Sequence, residues 1–217
     1  MLVVTCARCG APFPSSRVRC AYCGADAADE VDLIAKPTFG RPGGWRLPED
    51  RQPPGVSIDE EGGGSRLRVT VGPRSEVPLV IAAAWVGNAF VDVSASVSIS
   101  FPGPVCGASA GFWLRAAGGE GVVALLWDSG NVTIATREHN DHKDTLAWIE
   151  PAEDFVAGAP GRLAATVTGD VVKVSRDRRP VGSHVVPRRA AGEIELRVQS
   201  GNAPAVVVFE DPVARED

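Results

Sequence analysis

The chain has 217 residues, 44% of them hydrophobic and 23% charged, with a formal net charge of −5 at pH 7. Such a length suits one good-sized domain with a small appendage, and the composition excludes large-scale disorder. The acidic balance supplies no basic field to draw in nucleic acid, and no run approaches the roughly 18–20 apolar residues of a membrane helix.

The amino-terminal MLVVTCARCG has neither a basic start nor a long apolar run, so it does not read as a secretory signal. The expected compartment is the cytoplasm, where thiols and metal thiolates persist and structural disulfides are rare. Four of the five cysteines fall within CARCGAPFPSSRVRCAYCG. Cys6-x2-Cys9 and Cys20-x2-Cys23 stand ten residues apart, and each pair is followed at once by glycine, Gly10 and Gly24. Two residues between ligands let a tight turn aim both sulfurs at one ion, and the glycine accepts the positive φ that closes the knuckle.

Two facing knuckles give a tetrahedral site of four thiolates with no open position, which makes the metal structural rather than catalytic. About 25 residues cannot bury enough apolar surface to offset chain entropy, whereas a structural zinc contributes on the order of 10 kcal/mol. Met1 to about Ala27 resembles a zinc ribbon of the rubredoxin-knuckle type, which implies Zn2+ as the ion; an iron site has the same ligands. Arg8, Arg17 and Arg19 are nearly balanced by the charge of a four-thiolate zinc. Arg17 and Arg19 are therefore candidate contacts for a protein partner in preference to nucleic acid.

Residues 28–44 read as a linker that turns rich in proline and glycine, with one short strand at Val31 to Ile34. From Trp45 onward short strands dominate. RLRVTV (Arg66 to Val71) and FVDVSASVSISF (Phe90 to Phe101) alternate apolar with polar residues, the period of a half-buried strand. VPLVIAAAWV (Val77 to Val86) reads as a buried strand. Further runs are Gly111 to Ala116, Val122 to Trp127, Val132 to Arg137, Arg162 to Thr168, Val171 to Arg176, Glu193 to Gln199 and Ala205 to Glu210. Asp128-Ser129-Gly130-Asn131 and Gly169-Asp170 supply hairpin turns, Asp59-Glu60-Glu61 reads as a turn, and only Pro151 to Ala157 looks briefly helical. The expected fold is all-β: a small four-cysteine zinc ribbon (residues 1–27), then a two-sheet antiparallel β-sandwich, or jelly roll (residues 45–217).

GFWLRA (Gly111 to Ala116), VVALLWDSGNVTIAT (Val122 to Thr136), RLAATVTGDVVKVSRDRRPV (Arg162 to Val181) and GEIELRVQSGNAPAVVVFEDPVA (Gly192 to Ala214) follow in a familiar order. They resemble the concanavalin A-like, laminin G-type jelly roll, in the manner of the bacterial 3-keto-disaccharide hydrolases. Gly111, Arg115, Gly169, Asp170, Gly192, Ile194, Leu196 and Phe209 match that pattern, whereas Asp177-Arg178-Arg179-Pro180 replaces its Asn-Gly turn. The resemblance spans roughly residues 45 to 214 and rests on structural positions. It implies a lectin-like sandwich and, as an alternative to binding, a carbohydrate-active hydrolase.

Glucanases of this fold place carboxylates alternately on one strand, ExDxE or ExDxxE, so that acid and nucleophile flank one glycosidic bond about 5 Å apart. No such motif occurs, and no catalytic residue is assigned. Glu193 and Glu195 share a strand face with Arg197, which reads as a solvated face. REHNDHKD (Arg137 to Asp144) offers His139, Asp141, His142 and Asp144 as a candidate ligand or metal loop at the sandwich rim, although its spacing matches neither HExxH nor a calcium loop. Cys106 reads as a small buried hydrophobe and His184 as a strand residue. Trp85, Trp113, Trp127 and Trp148 read as core, with one or two free to stack on sugar rings from a concave sheet. Arg178 and Arg179 are candidates for docking an acidic partner.

Taken together, these residues point to a non-catalytic binding or assembly protein that contacts a protein or a glycan. A keto-disaccharide-type hydrolase and a ribbon that binds nucleic acid are the alternatives.

Overall fold

The computed structural model describes residues 3–5, 12–14, 39, 45–47, 52, 54–76, 79–85, 91–118, 120–137, 143–151, 155–187 and 191–216. The chain divides into two units, Met1–Lys36 and Pro37–Asp217. In the first, β1 (Val3–Thr5) and β2 (Pro12–Pro14) pair antiparallel with Val4 opposite Phe13, and the Cys6–Cys9 pair falls in the connection between them. The four cysteines themselves, with Arg17 and Arg19, lie outside the described residues.

The second unit is a sandwich of two seven-stranded antiparallel sheets. Its strands are β3 (Trp45–Arg46), β4 (Val56–Glu61), β5 (Arg66–Val71), β6 (Leu79–Trp85), β7 (Val93–Ser100), β8 (Ser109–Ala117) and β9 (Glu120–Trp127). They continue as β10 (Val132–Arg137), β11 (Lys143–Ile149), β12 (Gly161–Thr168), β13 (Val171–Arg176), β14 (Arg179–Val185), β15 (Glu193–Gln199) and β16 (Ala205–Glu216). Sheet one runs β11-β10-β9-β8-β15-β6-β3, and sheet two runs β14-β13-β12-β7-β16-β5-β4. Among the described residues, no helix is long and apolar enough to cross a membrane.

The alternation read from the sequence sets the core. In β7, Val93, Ala95, Val97 and Ile99 are buried while Ser94, Ser96, Ser98 and Ser100 face outward. From sheet one, Phe112, Leu114, Val122, Leu126, Ile134 and Leu196 meet them across the sandwich in one continuous cluster. Each such side chain contributes about 1.5–3 kcal/mol when removed from water.

Some segments depart from expectation. Asp59, Glu60 and Glu61 are not a turn but the end of β4; the chain reverses one step later, at Gly62–Gly64. The acids stand on an edge strand, where Glu61 takes the Arg68 Nε–H at 2.8 Å, a contact that pulls its carboxyl below the ordinary value. Pro151, Phe155 and Val156 form no helix, and Ala157 and Gly158 make a turn.

Asp177 and Arg178 keep the geometry of the turn whose glycine is missing. Arg176 pairs with Arg179, and the two residues between have φ of 49° and 66°. Positive φ at both loop positions is the type I′ pattern that matches strand twist. Asp177 has a reason to stay, since its Oδ1 accepts the Arg162 N–H at 2.7 Å. Arg178 is exposed and has only the strain. Arg178→Gly should therefore stabilise the sandwich by about 0.5–1 kcal/mol, raising its melting temperature by about 2 °C in a calorimetric scan.

Candidate functional site

The two outer faces of the sandwich differ in chemistry. Sheet two presents Ser94, Ser96 and Ser98 from β7 beside Arg162 and Thr166 from β12, linked by Arg162 Nη2–H donating to Ser96 Oγ (2.7 Å) and by a Ser94–Thr166 hydroxyl contact (3.0 Å). Sheet one instead carries apolar residues on both sides. The outward residues Trp113, Val123, Leu125 and Ala135 form a second small buried cluster, with Leu79 and Ala116 packed against it.

Register brings the outward residues of sheet one into rows. Glu195 stands beside Trp113, which stands beside Val123 and then Ala135. In the next row Arg197, Gly111, Leu125, Thr133 and Trp148 follow one another across five strands. Gly111 leaves no side chain next to Arg197, so the guanidinium folds over Trp113, its carbon 3.2 Å from the ring centroid. Arg137 approaches the same ring at 4.9 Å. The indole lies flat on β9, because a Cβ at Gly121 would fall 1.8 Å from its Nε1. Its N–H donates to the Glu120 carbonyl at 3.0 Å.

The electrostatics follow from this stacking. Arg197 and Glu195 form an ion pair at 2.5 Å with side chains only 13% and 12% exposed. Burial pulls the Arg197 guanidinium below its ordinary value, Glu195 acts against that, and the nearby Arg137 charge adds to it. Arg137 is lowered by burial alone. The face of Glu195 and Arg197 is thus not the solvated one expected from alternation: the apolar outward residues of β8 and β9 surround it.

The accessible side of this face lies at β11, because β10 is buried up to Thr136. Trp148 is 49% exposed. It packs against Trp127 with ring centroids 5.1 Å apart and planes tilted by 59°. Trp127 is fixed in turn by its indole N–H, which donates to Thr133 Oγ1 at 2.7 Å. The result is a half-open aromatic surface held from beneath by the buried Thr133 hydroxyl, with the partly exposed Arg137 further along β10.

Of the proposed ligand loop, Asp144 belongs to β11, paired with Thr136, rather than to a loop; His139, Asp141 and His142 lie outside the described residues. Arg178 tips the exposed β13–β14 turn, and Arg179 begins β14. His184 sits in β14 opposite Val172, a strand residue as expected. Cys106 is half-buried against the core, its thiol pushed up by burial and by the charge of Asp128. Asp128 Oδ2 accepts the backbone N–H groups of Cys106 (2.7 Å) and Ala108 (3.0 Å), so the pair closes a loop rather than arming a nucleophile. Trp113 is buried as expected, though in the second cluster rather than between the two layers, whereas Trp148 is half exposed and not a core tryptophan. Their signal lay in runs such as VVALLW, apolar at successive positions, which a sheet with one wet face does not need.

No protein-family model matches this chain, and no curated protein matches it in sequence. Solved structures match its fold. The carbohydrate-binding module CBM66 from Bacillus subtilis is 13% identical with a TM-score of 0.53, over 83% of this chain and 99% of that one. A β-glucanase of Bacillus licheniformis is 11% identical with a TM-score of 0.52, over 82% of this chain and 100% of that one. A binding domain of botulinum neurotoxin DC, in complex with SialylT, is 9% identical with a TM-score of 0.52, over 79% of this chain and 43% of that one. At these identities the likeness shows the fold alone, a jelly-roll β-sandwich.

Proposed function

We propose that the sandwich is a non-catalytic glycan-recognition module that binds a saccharide at the β10–β11 side of sheet one. The observation that carries this reading is Trp148, half exposed yet held by Trp127. A fixed indole offers the apolar face of a sugar ring a surface that needs no ordering on binding, and the partly exposed Arg137 at the end of β10 supplies planar hydrogen-bond donors on the same face. The carbohydrate-binding module, the glucanase and the neurotoxin binding domain among the neighbours support a saccharide as the ligand.

A keto-disaccharide-type hydrolase is the weaker reading. Glu195 is already bound to Arg197, and Glu193, the other carboxylate of that strand, is exposed at its start. For residues 1–27 we retain a structural zinc held by Cys6, Cys9, Cys20 and Cys23, which makes a rigid head for a protein partner and calls for a reducing compartment such as the cytoplasm.

Titration calorimetry with oligosaccharides selected on a glycan array tests the proposal. Trp148→Ala should weaken binding roughly tenfold or more with unchanged melting temperature, and the sugar should be recovered intact. Affinity indifferent to Trp148→Ala, or a cleaved sugar, would contradict it.

A further inference from the structure

Where the edge strands β11 and β14 end their sheets, a cleft of about 460 Å3 opens between the two layers. Its floor is apolar: Val132 is buried in the core, and Ile149 and Val181 pack against that core. Phe155 forms one wall.

Four charged residues line the cleft, Glu150, Arg176, Asp177 and Arg179, and of these Glu150 and Arg176 come from different sheets and do not pair with each other. Arg176, a residue that looks in sequence like turn decoration, has a side chain only 11% exposed. Its Nη1–H donates to the Gly130 carbonyl at 2.7 Å, its Nε lies 3.3 Å from Asp177 Oδ2, and its guanidinium carbon is 4.8 Å from the Phe155 ring centroid. Its Nη2 makes no hydrogen bond to any described residue. Glu150 is moored by Asn131 Nδ2–H donating to its Oε2 at 3.0 Å, and its Oε1 is unengaged among the described residues. Both moorings are consecutive residues of one turn, whose Cα atoms are about 3.8 Å apart. A cation and an anion are thus held close together, each with spare hydrogen-bonding capacity, over an apolar surface.

We propose that this cleft is a binding site for a small zwitterion of the apolar α-amino acid class. The ligand carboxylate would take the Nη2 donors of Arg176, its ammonium would donate to Glu150, and its side chain would cover Val132, Ile149 and Val181 against Phe155. A neutral sugar answers neither charge, and covering the remaining donors of Arg176 or the second oxygen of Glu150 without a partner is costly. The volume falls within the range of small-molecule pockets and admits an aromatic amino acid with ordered water. This site is separate from the Trp148 surface and does not depend on that reading.

The test compares L-phenylalanine with phenethylamine and 3-phenylpropionate, which each lack one charge, by ligand-observed NMR and calorimetry on the full chain. L-Phenylalanine should bind, and each analogue should bind at least tenfold more weakly. Glu150→Gln should weaken L-phenylalanine about tenfold, leave 3-phenylpropionate unchanged and keep the melting temperature. No binding of L-phenylalanine at millimolar concentration, equal binding of all three compounds, or its displacement by a neutral disaccharide would overturn the proposal.

Discussion

Replacing Arg115 with leucine should lower the unfolding free energy of the sandwich by about 3 kcal/mol, read as a fall in the urea midpoint at constant slope. Arg115 is 1% exposed and sits on β8 with φ of 53°. From sheet one its side chain crosses to sheet two. There Nη1–H donates to the Gly169 carbonyl in the β12–β13 turn at 2.8 Å, and Nη2–H donates to Asp92 Oδ1, just ahead of β7, at 3.1 Å. The same Asp92 oxygen accepts the Gly169 N–H at 2.8 Å, so one guanidinium and one carboxylate tie three chain segments together.

Leucine would leave the Gly169 carbonyl without its Arg115 donor and the Asp92 carboxylate without its cation, with only the Gly169 N–H remaining on that oxygen. Breaking a buried pair costs about 3–5 kcal/mol, and the 35% exposure of Asp92 sets the lower end of that range, because water reaches its side. Asp92→Asn keeps an acceptor and should cost about 1 kcal/mol. The double variant should then cost less than the sum of the two, as partners in one network do. An unchanged midpoint in Arg115→Leu would refute the bridge.

The second large effect concerns residues 1–27. Purified protein should carry one zinc per chain, and a chelator or a Cys20→Ser substitution should unfold this head, a loss on the order of 10 kcal/mol. The β1–β2 pairing reports it: the Val4 and Phe13 amides, opposite each other in the hairpin, should lose protection from hydrogen exchange. Four thiols that become titratable on metal removal, in addition to Cys106, would agree with this. Bridged sulfurs with no bound metal would contradict it, and a coloured protein would replace zinc by iron.

The strands with strict alternation were legible in sequence. Arg66–Val71, Val171–Arg176 and Glu193–Gln199 have the bounds expected, because burying one face fixes a period of two, and Val132–Arg137, buried on both faces, also has its expected bounds. The edge strands were not. In β4, acids occupy Asp59 to Glu61, and in β14, Pro180, Gly182 and Ser183 interrupt the pattern, since an edge strand tolerates charge, proline and glycine. The Asp177–Arg178 turn hid its type by lacking glycine.

The candidate site was only partly legible. Tryptophans in β8, β9 and β11 were visible, but which layer each faces depends on register, and Gly111 and Gly121 make room for Arg197 and the Trp113 ring only across strands. Arg115 was visible as a matching position, yet its partners lie far along the chain at Asp92 and Gly169. Arg176 and Glu150 drew no notice as a pair, for the same reason: their moorings meet only in the folded turn.

The most direct measurement is a set of 15N–1H spectra of the tryptophan indole groups during titration with an array-selected oligosaccharide. If the aromatic edge of sheet one is the recognition surface, the Trp148 indole resonance moves in a saturable way, Trp127 follows, and Trp45, buried on the opposite side of that sheet, stays in place. Binding that shifts neither Trp148 nor Trp127 would place recognition elsewhere and contradict the account.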